Sequence, residues 1–262
     1  MNIQGRSGLI SLVLECRKNA ETLLSSGMNI LLGSDLMGAI FEDRKLRGKR
    51  SVFRDRTEGG KALAEFLESR FSKQIIVLAI PSGGLPVAAE MAKRLDVRLD
   101  IVIVRKLQTP RNPEAGFGAI SLNADTVLNQ ELVADLALSN RQIETAKENA
   151  MKEGRSRERA LRRLRPAPDL NGIEVIIVDD GLATGYTMLA AIRSVKMGCP
   201  SRIVVAVPTG SDRSVDLVAR EADEVICLNI RGMPFAVADA YQNWYDVDEE
   251  EAVRVVRYSN PY

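Results

Sequence analysis

Apolar runs rich in β-branched residues recur along the chain, and none of them alternates strictly between apolar and polar positions. They cover residues 74–80, 99–104, 175–178, 202–208 and 224–229. Such runs are typical of strands that are buried on both faces, as in a parallel sheet. The stretches between them repeat apolar residues at helical spacing. Alternating strands and helices predict an α/β fold with a doubly wound, mainly parallel sheet.

Helical patterns fill the intervals between these runs. Leu63 and Phe66 share one face of a helix predicted over residues 57–71, with Thr57 as its N-cap. Further helices are expected over residues 86–95, 130–165, 184–197, 211–221 and 248–256, the second of these as two helices that meet near residues 138–140. A loop that passes into a short strand is expected over residues 107–121, and another short strand over 125–128.

The N-terminal part of the chain has a different pattern. Residues 1–26 predict an amphipathic helix, a second short helix is expected over 34–41, and a charged segment follows over 42–56. We therefore expect two parts, an N-terminal helical extension over residues 1–50 and a main domain over residues 51–262.

The amino-acid composition excludes several classes of function. The 262 residues are 45% hydrophobic and 27% charged with a net charge of +1, which indicates a globular protein with a sizeable core and no overall attraction to polyanions. The chain has no histidine, which excludes His-based acid–base chemistry and His metal ligands. Its three cysteines lack metal-type spacing and the apolar run at 9–14 is too short to span a membrane, so we expect a cytoplasmic protein.

An acid pair follows the apolar run at 175–178. Asp179 and Asp180 precede a turn of small residues, after which a helical pattern begins. A strand, a turn and a helix N-terminus together form an anion site, because free N–H groups and the helix dipole face the turn. The neighbouring carboxylates can accept ribose hydroxyls or help to hold Mg2+. The pattern therefore suits a ligand that is part phosphate and part sugar.

The string from Val175 to Met188 resembles the signature of the type I phosphoribosyltransferases, which bind phosphoribosyl diphosphate (PRPP). Its loop is closest to the adenine-type version. A likeness that begins near Phe53-Arg-Asp-Arg also extends to a subgroup whose acceptor is not settled. It implies that Asp179 and Asp180 contact the ribose hydroxyls and Mg2+. It also implies a 5′-phosphate site made by Ala183, Thr184, Gly185, Tyr186 and Thr187. Gly181 departs from the signature, which usually has an aliphatic residue or Ser there. A response-regulator receiver domain, which shares the Val-Asp-Asp strand end, is rejected because too few residues follow.

Other segments complete the expected site. Ser82, Gly83 and Gly84 follow another predicted strand, where the family binds pyrophosphate through backbone amides. Arg105 and Lys106 are expected at the C-terminal end of the next strand, facing the leaving diphosphate. The resemblance also implies a mobile loop over 107–121, with Arg111 and Glu114 as candidate contacts.

The acceptor side is defined less closely by the sequence. Phe235 is a candidate for stacking on a nucleobase, although an aromatic cluster with a structural role is the alternative. The basic end of the helix over 130–165 is interleaved with glutamates, which favours a solvated face over an RNA-binding surface. We thus expect a Mg2+-dependent enzyme that transfers ribose 5-phosphate to a nitrogen acceptor and acts as a homodimer. The alternative is a PRPP-sensing regulator or RNA-binding protein that has lost turnover.

Overall fold

The computed structural model describes residues 37–68, 75–110, 112–123, 126–162 and 165–259, without the side chains of Pro113 and Glu114. Nine strands occur in these ranges: β1 (Ala39–Phe41), β2 (Ile75–Ala79), β3 (Arg98–Ile101), β4 (Val104–Thr109), β5 (Asn112–Ser121), β6 (Thr126–Leu128), β7 (Glu174–Val178), β8 (Arg202–Ser211) and β9 (Glu224–Arg231). The α-helices of the same ranges are α1 (Arg56–Leu67), α2 (Gly84–Leu95), α3 (Gln130–Asp135), α4 (Asn140–Arg162), α5 (Tyr186–Lys196), α6 (Asp212–Ala219) and α7 (Glu249–Tyr258). The helix predicted over 1–26 lies outside the described residues.

The main sheet confirms the predicted doubly wound fold. Its strands lie in the order β1-β9-β8-β7-β2-β3, and every neighbouring pair is parallel. Ile176 and Val178 of β7 face a core shared with α1, α2 and α7, whereas Val175 and Ile177 face a core shared with α5 and α6. The strand is apolar throughout because both of its faces are buried.

The carboxyl ends of β7 and β2 lie side by side, since Val178 is in register with Ala79. The chain leaves β7 into the acid pair and leaves β2 into the loop at residues 81–83. Ligands of doubly wound sheets bind at this edge of the sheet. The fold therefore brings the two predicted anion-binding segments together.

A second, antiparallel sheet of β4, β5 and β6 corrects the prediction over residues 99–121. The expected strand at 99–104 is divided, because β3 ends at Ile101 and β4 starts at Val104 in the other sheet. The expected loop at 107–121 forms most of a β-hairpin instead. Leu107 and Phe117 are fully buried against Ile143 and Ala150 of α4, so packing on this helix stabilises the hairpin. The short strand and the two helices expected after it are confirmed.

Two local predictions near the N-terminus are wrong. Residues 39–41 form a strand rather than the end of a helix, because β1 pairs in parallel with β9 at the edge of the main sheet. Helix α1 is capped by Asp55, whose carboxylate accepts the amide of Glu58, and not by Thr57. A carboxylate at this position satisfies a free N–H group and complements the helix dipole.

The C-terminal segment returns across the start of α1. Phe53 forms a parallel bridge with Tyr241, and the amide of Gln242 donates to the Phe53 carbonyl over 2.8 Å. The Tyr241 ring lies between those of Phe53 and Trp244, with centroids 5.9 Å and 5.6 Å away. This aromatic cluster holds α1 beside the carboxyl end of β7. No helix in the described ranges is both long enough and apolar enough to cross a membrane.

Candidate active site

The acid pair leaves β7 in a compact arrangement. The Asp180 amide donates to Oδ1 of Asp179 over 2.9 Å, and the Tyr241 hydroxyl donates to the Asp180 carbonyl over 2.6 Å. Asp180 Oδ2 accepts Nε of Arg56 at 2.8 Å. Both carboxylates are thus held in place by hydrogen bonds.

Arg56 is the partner that sequence reasoning did not identify. Its side chain is only 4% exposed, and Nη1 donates to the Tyr245 carbonyl over 2.6 Å. The guanidinium carbon lies 3.9 Å from the centroid of the Trp244 ring. This stacking and pairing fix the planar cation and, through it, the Asp180 carboxylate. The Phe53-Arg-Asp-Arg string ends at Arg56 and was the only signal available.

The pKa values of the acid pair indicate two carboxyl groups that a cation or hydroxyl donors would stabilise in their charged form. Burial raises the pKa of Asp179 well above its ordinary value, and the adjacent Asp180 raises it further. Burial also raises the pKa of Asp180, whereas the charge of Arg56 acts in the opposite direction. One arginine thus compensates two adjacent carboxylates only in part.

The turn after the acid pair is held in place by β8 and α6. The Leu182 amide donates to the Thr209 carbonyl over 3.0 Å, and Ser214 Oγ donates to the Leu182 carbonyl over 2.7 Å. Gly185 has a φ of +82°, which glycine adopts without strain, and α5 begins at the next residue. The first N–H groups of a helix lack partners within the helix, so the N-terminus of α5 can receive a phosphate.

The predicted phosphate-binding residues surround this turn. Ala183 and Thr184 are exposed, while Tyr186 and Thr187 are half-buried in the first turn of α5. Burial raises the pKa of Tyr186, and Glu131 raises it further. The departure at Gly181 also has a structural reason. A Cβ at this position would lie 2.7 Å from Cγ1 of Val237, so the chain has no room for the usual larger residue.

The loop at residues 82–84 contacts the acid pair directly. A Cβ on Gly83 would lie 2.2 Å from Oδ2 of Asp180, and one on Gly84 would lie 2.7 Å from the Val178 carbonyl. The peptide bond between Pro81 and Ser82 is cis. The Gly84 amide donates to the Ile80 carbonyl over 3.1 Å, which leaves the Ser82 and Gly83 amides as the candidates to face a ligand.

The structure corrects the location of the predicted Arg105–Lys106 pair. Both residues lie in β4 of the antiparallel hairpin, not at the C-terminal end of a parallel strand. Arg105 pairs with Glu153 of α4. Lys106 is exposed and lines a cavity of about 400 Å³ between β4 and α4.

Arg157 of α4 is a second residue that sequence reasoning did not place at the site. Its Nη1 donates to Ser82 Oγ over 3.1 Å. The basic end of this helix was expected to be a solvated face. Instead, Arg157 reaches the loop, and Arg162 anchors the helix to Asp100 of β3 over 2.6 Å. No local pattern distinguishes these two arginines from their exposed neighbours.

The remaining candidate residues are Arg111, Glu114 and Phe235. Arg111 and the side chain of Glu114 are outside the part that the structure describes. Phe235 is half-buried in the segment that follows β9, and the guanidinium carbon of Arg231 lies 4.7 Å from its ring centroid. One face of the ring is therefore taken by a cation.

Asp179 and Asp180 are the residues that could hold a divalent metal ion. Among the described residues, no group of three or more His, Cys, Asp or Glu side chains could form a metal cage. Mg2+ at a substrate site needs only one or two carboxylates, because phosphate oxygens and water complete its coordination. The adjacent half-buried carboxylates fit this requirement.

Comparison with known proteins agrees with the geometry. The family model for the phosphoribosyl transferase domain matches residues 56–243. Two Mycobacterium tuberculosis proteins named as phosphoribosyl transferases, Rv0571c of strain H37Rv and MT0597 of strain CDC 1551, are 38% identical over 202 residues, or 77% of this chain. That match spans 46% of each relative, about half of its length.

A solved structure shares both sequence and fold with this chain. The crystal structure of TT1426 from Thermus thermophilus is 35% identical, with a TM-score of 0.65. The similarity covers 78% of this chain and 97% of that one. The family match starts at Arg56 and includes both loops and the acid pair. The chain therefore belongs to the phosphoribosyl transferase domain family.

Proposed function

We propose that the protein transfers ribose 5-phosphate from PRPP to a nitrogen acceptor, a nucleobase, with release of pyrophosphate. The observation that carries this proposal is the acid pair at the end of β7, placed between two anion-binding segments. The N-terminus of α5 at Gly185 follows the pair along the chain, and the loop at Ser82–Gly84 contacts the carboxylates. A ribose with a phosphate at each end matches this order of groups.

In the proposed reaction the C1–O bond to the diphosphate breaks, and the acceptor nitrogen forms a bond to C1. The diphosphate departs with the bonding electrons, and the ribose acquires oxocarbenium character. The Asp179 and Asp180 carboxylates hold the ribose hydroxyls, while the α5 N-terminus holds the 5′-phosphate. Mg2+, when bound by these carboxylates and substrate oxygens, would neutralise charge on the diphosphate.

The proton of the acceptor nitrogen needs a destination in this mechanism. Ala183 stands where six-oxopurine enzymes of the resembled family carry an aspartate, so the turn supplies no base there. Glu114, the pyrophosphate or water would take the proton. Arg105 and Lys106 remain proposed cations for the diphosphate, and Arg105 is already paired with Glu153.

Phe235 is the proposed stacking residue for the base. Its segment follows β9, whose carboxyl end lies on the same edge of the parallel sheet as the acid pair. We also propose that the protein forms a homodimer and acts in the cytoplasm. The domain boundary at residue 50 also stays a prediction, since the family match begins only at residue 56.

The direct test is pyrophosphate release from PRPP and Mg2+ with a panel of purine and pyrimidine bases. We expect one class of base to support turnover in the wild-type protein and not in Asp179→Asn with Asp180→Asn. Binding of PRPP without turnover for any base would favour the PRPP-sensing regulator instead. Failure of the wild-type protein to bind PRPP would contradict both interpretations of the site.

A further inference from the structure

Arg157 is a cation that nearby carboxylates compensate only in part. Its side chain is half-buried, and Nη1 donates to the neutral hydroxyl of Ser82. Burial lowers the pKa of this arginine, and the nearby charge of Arg105 lowers it further, while Glu249 and Glu153 act in the opposite direction. Within the described part of the chain, no carboxylate lies within ion-pair distance of the Arg157 guanidinium.

Arg105, whose charge acts on Arg157, has a buried hydrogen-bond donor without a partner. Its Nη2 donates to Glu153, but its Nε is buried without any hydrogen-bond partner. Glu153 itself is 54% exposed, so water weakens its compensation of the two guanidinium groups. The charge of Arg105 thus acts on Arg157, which Glu153 and Glu249 compensate without forming an ion pair with it.

Burying cations in this way is costly for the free protein. A charge removed from water without a partner destabilises the folded state. Such costs are found where a ligand supplies the missing charge. The ligand here must be an anion that reaches the Ser82 loop, which Arg157 contacts at Ser82 and the acid pair contacts at Gly83.

We propose that Arg157 binds the diphosphate of PRPP and the pyrophosphate product over the Ser82–Gly84 loop, with Arg105 held beside it by Glu153. This inference rests on the proposed function and assigns the diphosphate end to a cation from α4 of the same chain. In this proposal the N-terminus of α5 binds the 5′-phosphate separately. Guanidinium groups suit a diphosphate because they donate two parallel hydrogen bonds to neighbouring oxygens.

The arrangement also favours departure of the diphosphate. Negative charge accumulates on it as the C1–O bond breaks, so a fixed guanidinium stabilises the transition state more than the bound substrate. Helix α4 holds Arg157 firmly, since Arg162 on the same helix donates to Asp100 and to the Ile101 carbonyl. Loss of Arg157 should therefore reduce kcat as well as affinity for PRPP.

Calorimetry with two probes tests the proposal. Pyrophosphate with Mg2+ reports on the diphosphate end, whereas ribose 5-phosphate reports on the acid pair and the α5 turn. We expect Arg157→Met to weaken pyrophosphate binding at least tenfold and ribose 5-phosphate binding less than twofold. Arg155→Met is the matched control, because this exposed arginine on the same helix should affect neither probe.

Further measurements separate ligand binding from a structural role. If Arg157 serves a ligand, Arg157→Met keeps or raises the melting temperature of the free protein, and Arg157→Lys restores part of the pyrophosphate affinity. Equal pyrophosphate affinity in the wild type and Arg157→Met, or a loss of both probes with a lower melting temperature, would overturn the assignment. If the wild type binds neither probe, the proposed function itself fails.

Discussion

At the scale of single residues, the site is organised by contacts between distant parts of the sequence. Asp179 and Asp180 were predictable because the acid pair, the turn and the helix start are contiguous. Arg56 was not, since it precedes Asp180 by 124 positions and only the fold brings the two together. The same holds for Arg157, whose partner Ser82 lies 75 positions away. Local patterns predict which loops bind anions but not which distant cations contact these loops.

Arg56→Met should destabilise the protein strongly. The substitution leaves Asp180 half-buried without its counter-ion and removes the stacking on Trp244. Removing one partner of a buried ion pair costs about 3–5 kcal/mol. Chemical denaturation measures this loss in the free energy of unfolding. The exposed Arg44, replaced by Met in the same way, is the control and should change little. Equal stability of the two variants would mean that the pair is not structural.

Gly83→Ala should weaken PRPP binding without unfolding the protein. The added Cβ would lie 2.2 Å from Oδ2 of Asp180, so the carboxylate or the loop must shift. We expect the affinity for PRPP, measured by calorimetry, to fall at least tenfold, or about 1.4 kcal/mol. Gly232→Ala is the control, because the nearest atom to its Cβ would be 3.9 Å away. An unchanged affinity in Gly83→Ala would separate this loop from the ligand.

At the scale of secondary-structure elements, the apolar strands of the main sheet were predicted from their uninterrupted hydrophobic runs. The errors arose where one apolar run serves two sheets. Residues 98–101 pair with β2, whereas β4 begins at Val104 and turns into an antiparallel hairpin. The sequence shows no break between them, because Val102 and Ile103 are also buried. The prolines and glycines of the hairpin are typical of turns, so the sequence predicts a loop there.

Arg162→Met should loosen helix α4 from the main sheet. Arg162 donates to Asp100 over 2.6 Å and to the Ile101 carbonyl over 2.8 Å, and both paired side chains are 13% exposed. We expect a loss of about 3 kcal/mol in the free energy of unfolding. Arg159→Met, at an exposed position on the same helix, is the control. If both variants melt at the wild-type temperature, this pair does not anchor α4.

At the scale of the whole molecule, the acid pair, the turn before α5 and the Ser82 loop all lie at the carboxyl edge of the parallel sheet. Strand β1, which lies within the predicted N-terminal extension, pairs with β9, and Asn229 Nδ2 donates to the Lys49 carbonyl over 3.2 Å. The sequence pattern could not show this, because a three-residue edge strand has too few positions to reveal a period. The family fold was predictable because its signature is contiguous.

The measurement that tests the central claim most directly is the thermal stabilisation of the protein by PRPP with Mg2+. A ligand present at a hundred times its dissociation constant adds about 2.7 kcal/mol to the free energy of unfolding. For a domain of this size that corresponds to a rise of roughly 5–10 °C in melting temperature. Asp179→Asn with Asp180→Asn should abolish most of this rise. The same loss of two charges at exposed positions, Asp135→Asn with Asp216→Asn, should leave it intact. An equal rise in all three proteins, or none in the wild type, would contradict a PRPP site at the end of β7.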